Sequence, residues 1–322
     1  MPDKQASTTS PLYLGIDVAK DWIDIGRPNT KATQRIDNTQ LAIQVWLQAL
    51  PAQAITLAAF EPTGGYERVL RQCLVEAQVP FARVHPNEVA AYRTRRGRKA
   101  KTDALDAVLL AEFAEQELAK RGVRPLIEAD DVLCDLVARR RQLVDMLQAE
   151  RCRQAITVQA TVKQTVDAVM AVIKHGIDTI ESELGAHIAA QPPLAAMAAN
   201  LRSLKGVGPV TVFTVLGELP ELGRCSGKEI ASLVGLAPFT QQSGKSHRRA
   251  ATGHGRKGVR SVLFNAARSA IQHNPTMRTF YQRLVTTNQR PGKVALIAVM
   301  RKMLVTLNAI ARDGKPWAPI NT

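Results

Sequence analysis

The sequence predicts an α/β domain followed by an all-α region, and three observations carry that prediction. Short runs of alternating apolar and polar residues fill the first third, apolar residues recur every three or four positions through the middle, and a cationic, helix-patterned stretch closes the chain. At 322 residues with 45% hydrophobic side chains, the chain can bury more than one core. The expected divisions are residues 1–125, a helical connector over 126–192, and a third domain over 193–322.

After a polar tail, "LYLGIDVAKDWIDIG" alternates around a short turn, as two hairpin strands do, and "TQRID" supplies a third strand. A helix follows from Thr39 to Leu50. "AITLAAFE" reads as a buried strand, "GGYERVLRQCLVEAQ" as a helix with Val69, Leu70, Cys73 and Leu74 on one side, and "FARVHP" as another strand before a further helix. The product is a mixed sheet that opens with a meander. From Glu128 to Ala190 the period becomes helical, with Val162, Val166, Val169, Ile173, Ile177, Ile180, Leu184 and Ile188 forming one stripe. Two long helices are expected there, Glu128–Glu150 and Cys152–Ala190. The stripe suits either packing within the chain or a coiled-coil contact with a second copy. Gly206 and Gly208 then mark a tight turn between two helices, a pattern that resembles a helix-hairpin-helix DNA-binding element whose N–H groups face phosphate.

Charge narrows the class of partner. The net charge is +15, and from Thr240 onward 15 Lys and Arg stand against the single acid Asp313. Such an excess is costly to compact without a polyanion, which makes nucleic acid the leading partner. A second cationic cluster, Arg93, Arg95, Arg96, Arg98, Lys99 and Lys101, precedes "TDALDA". Cys73, Cys134, Cys152 and Cys225 have neither C-x-x-C spacing nor the density of a disulfide framework, as expected of packing residues in a reducing cytoplasm. The run "VALIAVMRKMLVTLNAI" is interrupted by Arg301 and Lys302 and reads as an amphipathic helix, not a membrane span.

Four carboxylates are expected to converge in this arrangement. Asp17 lies near the end of the first strand, Glu61 directly follows the fourth, and Asp103 and Asp106 fall one turn apart on a helix. So many anions require cations, and hard oxygen donors suit Mg²⁺ or Mn²⁺; two such ions about 4 Å apart support in-line phosphoryl transfer. Asp21, Asp24 and Glu67 lie near enough to substitute for one of the four, with Asp24 ranked lower because it alternates onto an outer face of the second strand.

"GIDVAK", "FEPTGGY", "V-H-P" and "R-x-x-K-T-D-A-x-D-A" resemble the N-terminal domain of the DEDD insertion-sequence transposases and the related Piv-type DNA invertases, and "GLAPFTQQSGKSHRRA" with "TGHGRKGVRSVLFNAA" resembles their second domain. The resemblance implies a RuvC-like, ribonuclease-H-like fold at the N-terminus and a metal-binding tetrad of Asp17, Glu61, Asp103 and Asp106. It also implies that Ser243 is a nucleophile forming a phosphoserine link to DNA, that a structured bridge RNA selects donor and target DNA, and that the protein acts as a dimer or tetramer at the prokaryotic nucleoid. Read without it, the stretch around Ser243 is a phosphate-tracking loop, with Lys245, Arg248, Arg249, Arg256, Lys257 and Arg260 holding backbone. His247 is the nearest candidate base. "GKS" is no nucleotide-binding loop, since Thr240 stands where such a motif needs glycine. The rival readings are a RuvC-like nuclease using water, a binding protein with structural acids, and an actin-like sugar kinase, which would leave the cationic last quarter unexplained.

Overall fold

Alternation in "LYLGIDV" and "WIDIG" becomes the centre of a five-stranded sheet. The computed structural model describes residues 11–30, 32–50, 55–97, 103–121, 130–238, 242–243, 246–247, 252–253 and 255–318; the side chains of 103–105, 121, 242, 243, 246 and 247 are outside that description. Contacts divide the chain into two units, Met1–Leu126 and Ile127–Thr322.

In the first unit β1 (Leu12–Val18), β2 (Trp22–Gly26), β3 (Gln34–Asp37), β4 (Ile55–Phe60) and β5 (Phe81–Arg83) lie in the order β3-β2-β1-β4-β5. The first three form the antiparallel meander, while β4 and β5 add parallel to β1. Side chains alternate between two cores. Leu14, Ile16, Val18, Ile23, Ile25, Ala58 and Phe60 pack with α1 (Gln40–Gln48) and α2 (Arg68–Glu76). On the other face Leu57, Ala59 and Val84 pack with α3 (Pro86–Arg95) and α4 (Asp103–Phe113) through Val89, Tyr92, Leu109, Leu110 and Phe113. Helix α4 continues into a π-helical stretch, Ala114–Leu118, and the short α5 (Ala119–Arg121). The "HP" after β5 starts α3: Pro86 takes the first turn, where a missing N–H costs nothing, and His85 Nδ1 accepts from Asn87 N at 3.1 Å.

The second unit, apart from one short hairpin, is helical in its described residues. Helices α6 (Asp131–Ile156) and α7 (Ala160–Ala189) form an antiparallel hairpin, with Leu143 and Leu147 against Val166, Met170 and Ile173, and Leu133 and Val137 against Leu184 and Ile188. The break comes later than expected, at 157–159: Thr157 is extended, and Gln159 caps the next helix through Thr161 N. β-Branched Ile156, Thr157 and Val158 weaken the helix there. The hairpin shares its core with Leu194 of α8 (Pro192–Arg202) and Phe213 and Leu216 of α9 (Pro209–Glu218). Further on, α10 (Gly227–Val234), α11 (Lys257–His273), α12 (Pro275–Gln282) and α13 (Gly292–Asp313) enclose Leu263, Val299, Met303, Leu304 and Leu307. A second π-helical stretch, Arg283–Thr287, follows α12. Helix α13 is long and apolar enough to span a membrane, but half of that stretch is buried in this core. Asn308 ties the core together through both ends of its amide, accepting from Gly223 N and donating to Cys225 O, each at 2.8 Å. Residues 242–243 (β6) and 246–247 (β7) pair antiparallel.

Candidate functional site

The sheet register sets the first two carboxylates. β1 and β4 run parallel with Gly15 opposite Ala59 and Ile16 opposite Phe60, so one step further brings Asp17 opposite Glu61 at the C-terminal edge of the strands. Both share the parity of Gly15, Leu57 and Ala59, whose face is covered by α4.

Two glycines that composition alone did not single out fix the helix over that edge. Gly15 and Gly26 are cross-strand partners. A Cβ on Gly15 would sit 2.0 Å from Ala107 O and 2.2 Å from Ala111 N, and one on Gly26 would sit 2.6 Å from Val108 N. The backbone of α4 therefore rests directly on the sheet, which is what glycine inside a strand permits. Ala114 and Leu118, further along, pack in the same cluster as Tyr13, so the helix runs antiparallel to β1. Asp103, one turn before Ala107, falls towards the Asp17 end; its side chain lies outside the described residues.

Asp106 is held differently. Arg93 Nη2 donates to its Oδ1 at 2.5 Å, with the two side chains 22% and 17% exposed. Two more arginines of the same cluster, exposed at the end of α3, are also paired: Arg95 with Glu117 at 3.3 Å, while Arg96 donates to Tyr92 Oη and Gln116 Oε1. These three, expected to hold nucleic-acid backbone, also have partners within the unit, because polar residues of α4 and its π-helical continuation lie opposite α3. Arg98, Lys99 and Lys101 fall outside the described residues.

Asp24 corrects its expected outer placement. It is the cross-strand partner of Asp17, 3% exposed, and both its oxygens are forked by Arg35, at 2.9 Å to Nε and 2.6 Å to Nη2. Arg35, opposite it on β3, lies 4.9 Å from the Trp22 ring centre. Its carboxylate is thus already neutralised. Glu67 is buried and ties down the loop after Glu61, accepting from Thr63 N, Gly65 N and Arg83 Nη2 at 3.1, 2.9 and 3.2 Å. Burial pushes its carboxyl up, but backbone N–H groups and Arg83 outweigh it and hold the group below the ordinary range. Gly64 and Gly65, at φ +74° and +112°, let the loop wrap that carboxylate.

In the second unit Ser243 lies in β6, its cross-strand partner Ser246, while His247 pairs with Gln242 and is out of register with the serine. The expected loop is therefore a short hairpin at this point. Lys245, Arg248 and Arg249 lie outside the described residues. Arg256 pairs with Glu221, at 2.6 Å for its Nη2 contact, and Arg260 donates to Val234 O at 2.9 Å; Lys257 is exposed. Gly206 has a packing reason as well as a turn: at φ +106°, a Cβ there would lie 2.7 Å from Ala270 Cβ and 2.9 Å from Ala266 O. Gly208, with open space around it, is the residue before Pro209 at the start of α9.

The donor chemistry at the sheet edge, carboxylate oxygens from β1, β4 and α4, fits a hard divalent cation. Among the described residues no three acids, histidines or cysteines are yet gathered as a metal site.

A profile for transposases of the IS116/IS110/IS902 family matches residues 198–282, and an IS110-type DEDD transposase profile matches residues 14–165. The pilin gene-inverting protein of Moraxella lacunata is 29% identical over 320 residues, 96% of this chain and 98% of its own. Its Moraxella bovis counterpart is also 29% identical, over 318 residues with the same coverage. An uncharacterized 43.6 kDa protein of insertion element IS110 from Streptomyces coelicolor is 27% identical over 209 residues, 61% of this chain and 49% of that protein.

Proposed function

The chain belongs to the DEDD transposases of the IS110 type, recombinases that act on DNA, and from that premise we propose how it cuts and rejoins strands. Asp17, Glu61, Asp103 and Asp106 hold Mg²⁺, or Mn²⁺ in its place, and Ser243 attacks a backbone phosphate. The Oγ–P ester forms as the deoxyribose oxygen departs, taking up the serine proton; attack by the second strand's hydroxyl reverses the step and rejoins DNA. A bound divalent ion would supply charge neutralisation at the phosphate and lower the cost of ionising the attacking hydroxyl. The observation that carries this reading is the register setting Asp17 beside Glu61 under a helix seated on Gly15 and Gly26.

The domain reading is a RuvC-like, ribonuclease-H-like unit over 1–125, a coiled-coil connector over 126–192 and a serine-bearing domain over 193–322 with a helix-hairpin-helix turn at Gly206 and Gly208. A structured bridge RNA selects donor and target by base pairing. Lys99, Lys101, Arg95, Arg96 and Arg98 in the first unit, and Lys245, Arg248, Arg249, Arg256, Lys257 and Arg260 in the second, serve backbone phosphates of DNA or RNA. Val162, Val169 and Val172 remain exposed on α7, which supports a homo-oligomeric contact along the hairpin.

The test is a denaturing gel of the purified chain with co-purifying RNA, Mg²⁺ and labelled element-junction DNA. Protein-linked label that vanishes in Ser243→Ala and in Asp103→Ala is expected. Free cut DNA without adduct, undiminished by Ser243→Ala, would replace the serine with water and make the first unit a hydrolytic nuclease.

A further inference from the structure

Two guanidinium–carboxylate pairs flank the proposed carboxylate site, and they are built differently. Asp24 is buried and forked by Arg35 through both oxygens, which neutralises it. Asp106 is held by Arg93 through one contact, Nη2 to Oδ1 at 2.5 Å, and both side chains keep some access to solvent. The helix that carries Asp106 is fixed by its backbone against Gly15 and Gly26, so the carboxylate can change partner by side-chain rotation while α4 stays seated. Arg93 sits near the C-terminal end of α3, two residues before its last residue.

From this geometry we propose that Arg93 is a positioning residue that acts through Asp106. It serves as the built-in counter-ion of that carboxylate before metal binds, and a divalent cation must displace it for Asp106 to turn towards Asp17 and Glu61. The displaced guanidinium, still beside the carboxylate site, then meets a phosphate of the DNA brought to the ion. The inference deepens the carboxylate reading above and rests on it. The physical basis is competition: one carboxylate cannot give its full charge both to a guanidinium and to a metal, so whatever stabilises the ion pair weakens metal binding by the same factor.

The experiment uses the full-length chain and Mn²⁺ as probe, with calorimetric titration in the absence of DNA and circular dichroism to verify folding. Arg93→Gln is expected to bind Mn²⁺ about tenfold more tightly than the unaltered chain, while Arg93→Lys, which keeps the charge, stays close to it. In duplex-binding measurements Arg93→Gln should lower affinity when Mn²⁺ is present and leave it unchanged in EDTA. A merely structural arginine would not produce that metal-dependent split. Unchanged or weaker Mn²⁺ binding in a folded Arg93→Gln overturns the proposal. Asp17→Asn and Glu61→Gln separate the two readings. If both abolish Mn²⁺ binding while Arg93→Gln leaves it unaltered, only the Arg93 inference falls. If Mn²⁺ binding survives both, the carboxylate site itself is misassigned and the Arg93 inference falls with it.

Discussion

Gly15→Ala tests the seating of α4 most directly. A methyl group there would arrive 2.0 Å from Ala107 O, 2.2 Å from Ala111 N and 2.7 Å from Leu110 Cβ, where ordinary contact begins near 3.4 Å. The two shortest contacts are to backbone, so no rotamer change relieves them, and the helix must retreat by about 1.4 Å. That retreat opens gaps beside Leu109, Leu110 and Phe113, all almost fully buried. Overpacking costs typically about 1–3 kcal/mol, and a backbone clash of this depth falls at the upper end, so about 3 kcal/mol is expected. An ordinary glycine-to-alanine change in a strand has the opposite sign, favourable by roughly 0.5–1 kcal/mol. Native-state hydrogen exchange of the α4 amides is the assay, because it reads this helix separately from the second unit. Protection should fall roughly a hundredfold, since each 1.4 kcal/mol is about a factor of ten. Protection within threefold of the unaltered chain would refute the placement of α4 on β1 and, with it, the placement of Asp103 near Asp17. Gly185→Ala in α7 is the control: with nothing within 4 Å of the new methyl, it should stabilise its helix by about 1 kcal/mol.

Glu67→Gln should cost about 2 kcal/mol, since a buried carboxylate accepting backbone N–H bonds and facing Arg83 loses its charge; denaturant unfolding of the first unit measures it. Because the folded state holds the Glu67 carboxyl below its ordinary range, its contribution is present above the unfolded value near 4.5 and is lost as pH falls through the lower folded one. A pH series of melting temperatures should accordingly show a smaller loss on acidification in Glu67→Gln than in the unaltered chain. Gly206→Ala, which would strain a left-handed backbone against Ala270, should destabilise the second unit by about 2 kcal/mol; a melting temperature equal to the parent's would remove the packing explanation for this glycine. Asn308→Ala should cost a further 2 kcal/mol or so by stranding Gly223 N and Cys225 O, read by thermal unfolding.

The order of strands and helices in the first unit was legible because period-two runs and period-3.6 runs are separated by turn residues, and the meander and the later buried strands each have their own pattern. Element ends were less legible. The α6–α7 break moved to 157–159 because local β-branched residues and the Gln159 cap outweigh a stripe that runs past them. Asp24 was misjudged because alternation gives a side chain's parity but not which faces are covered; helices bury both faces of this sheet. Of the basic cluster that begins at the end of α3, the sequence could show the charges but not that Glu117, Gln116 and Asp106 would face Arg95, Arg96 and Arg93.

The sequence by itself determined the charge asymmetry, the alternation of strands and helices, and the motifs that carry the family resemblance, because those depend on residue type and on local spacing. Tertiary structure alone decided that Asp17 stands beside Glu61, that glycines 15 and 26 admit a helix backbone, that Asp24 is already neutralised, and that Arg93 holds Asp106. Register, close approach and ion-pair choice depend on distances between elements remote along the chain, and no local pattern encodes those distances.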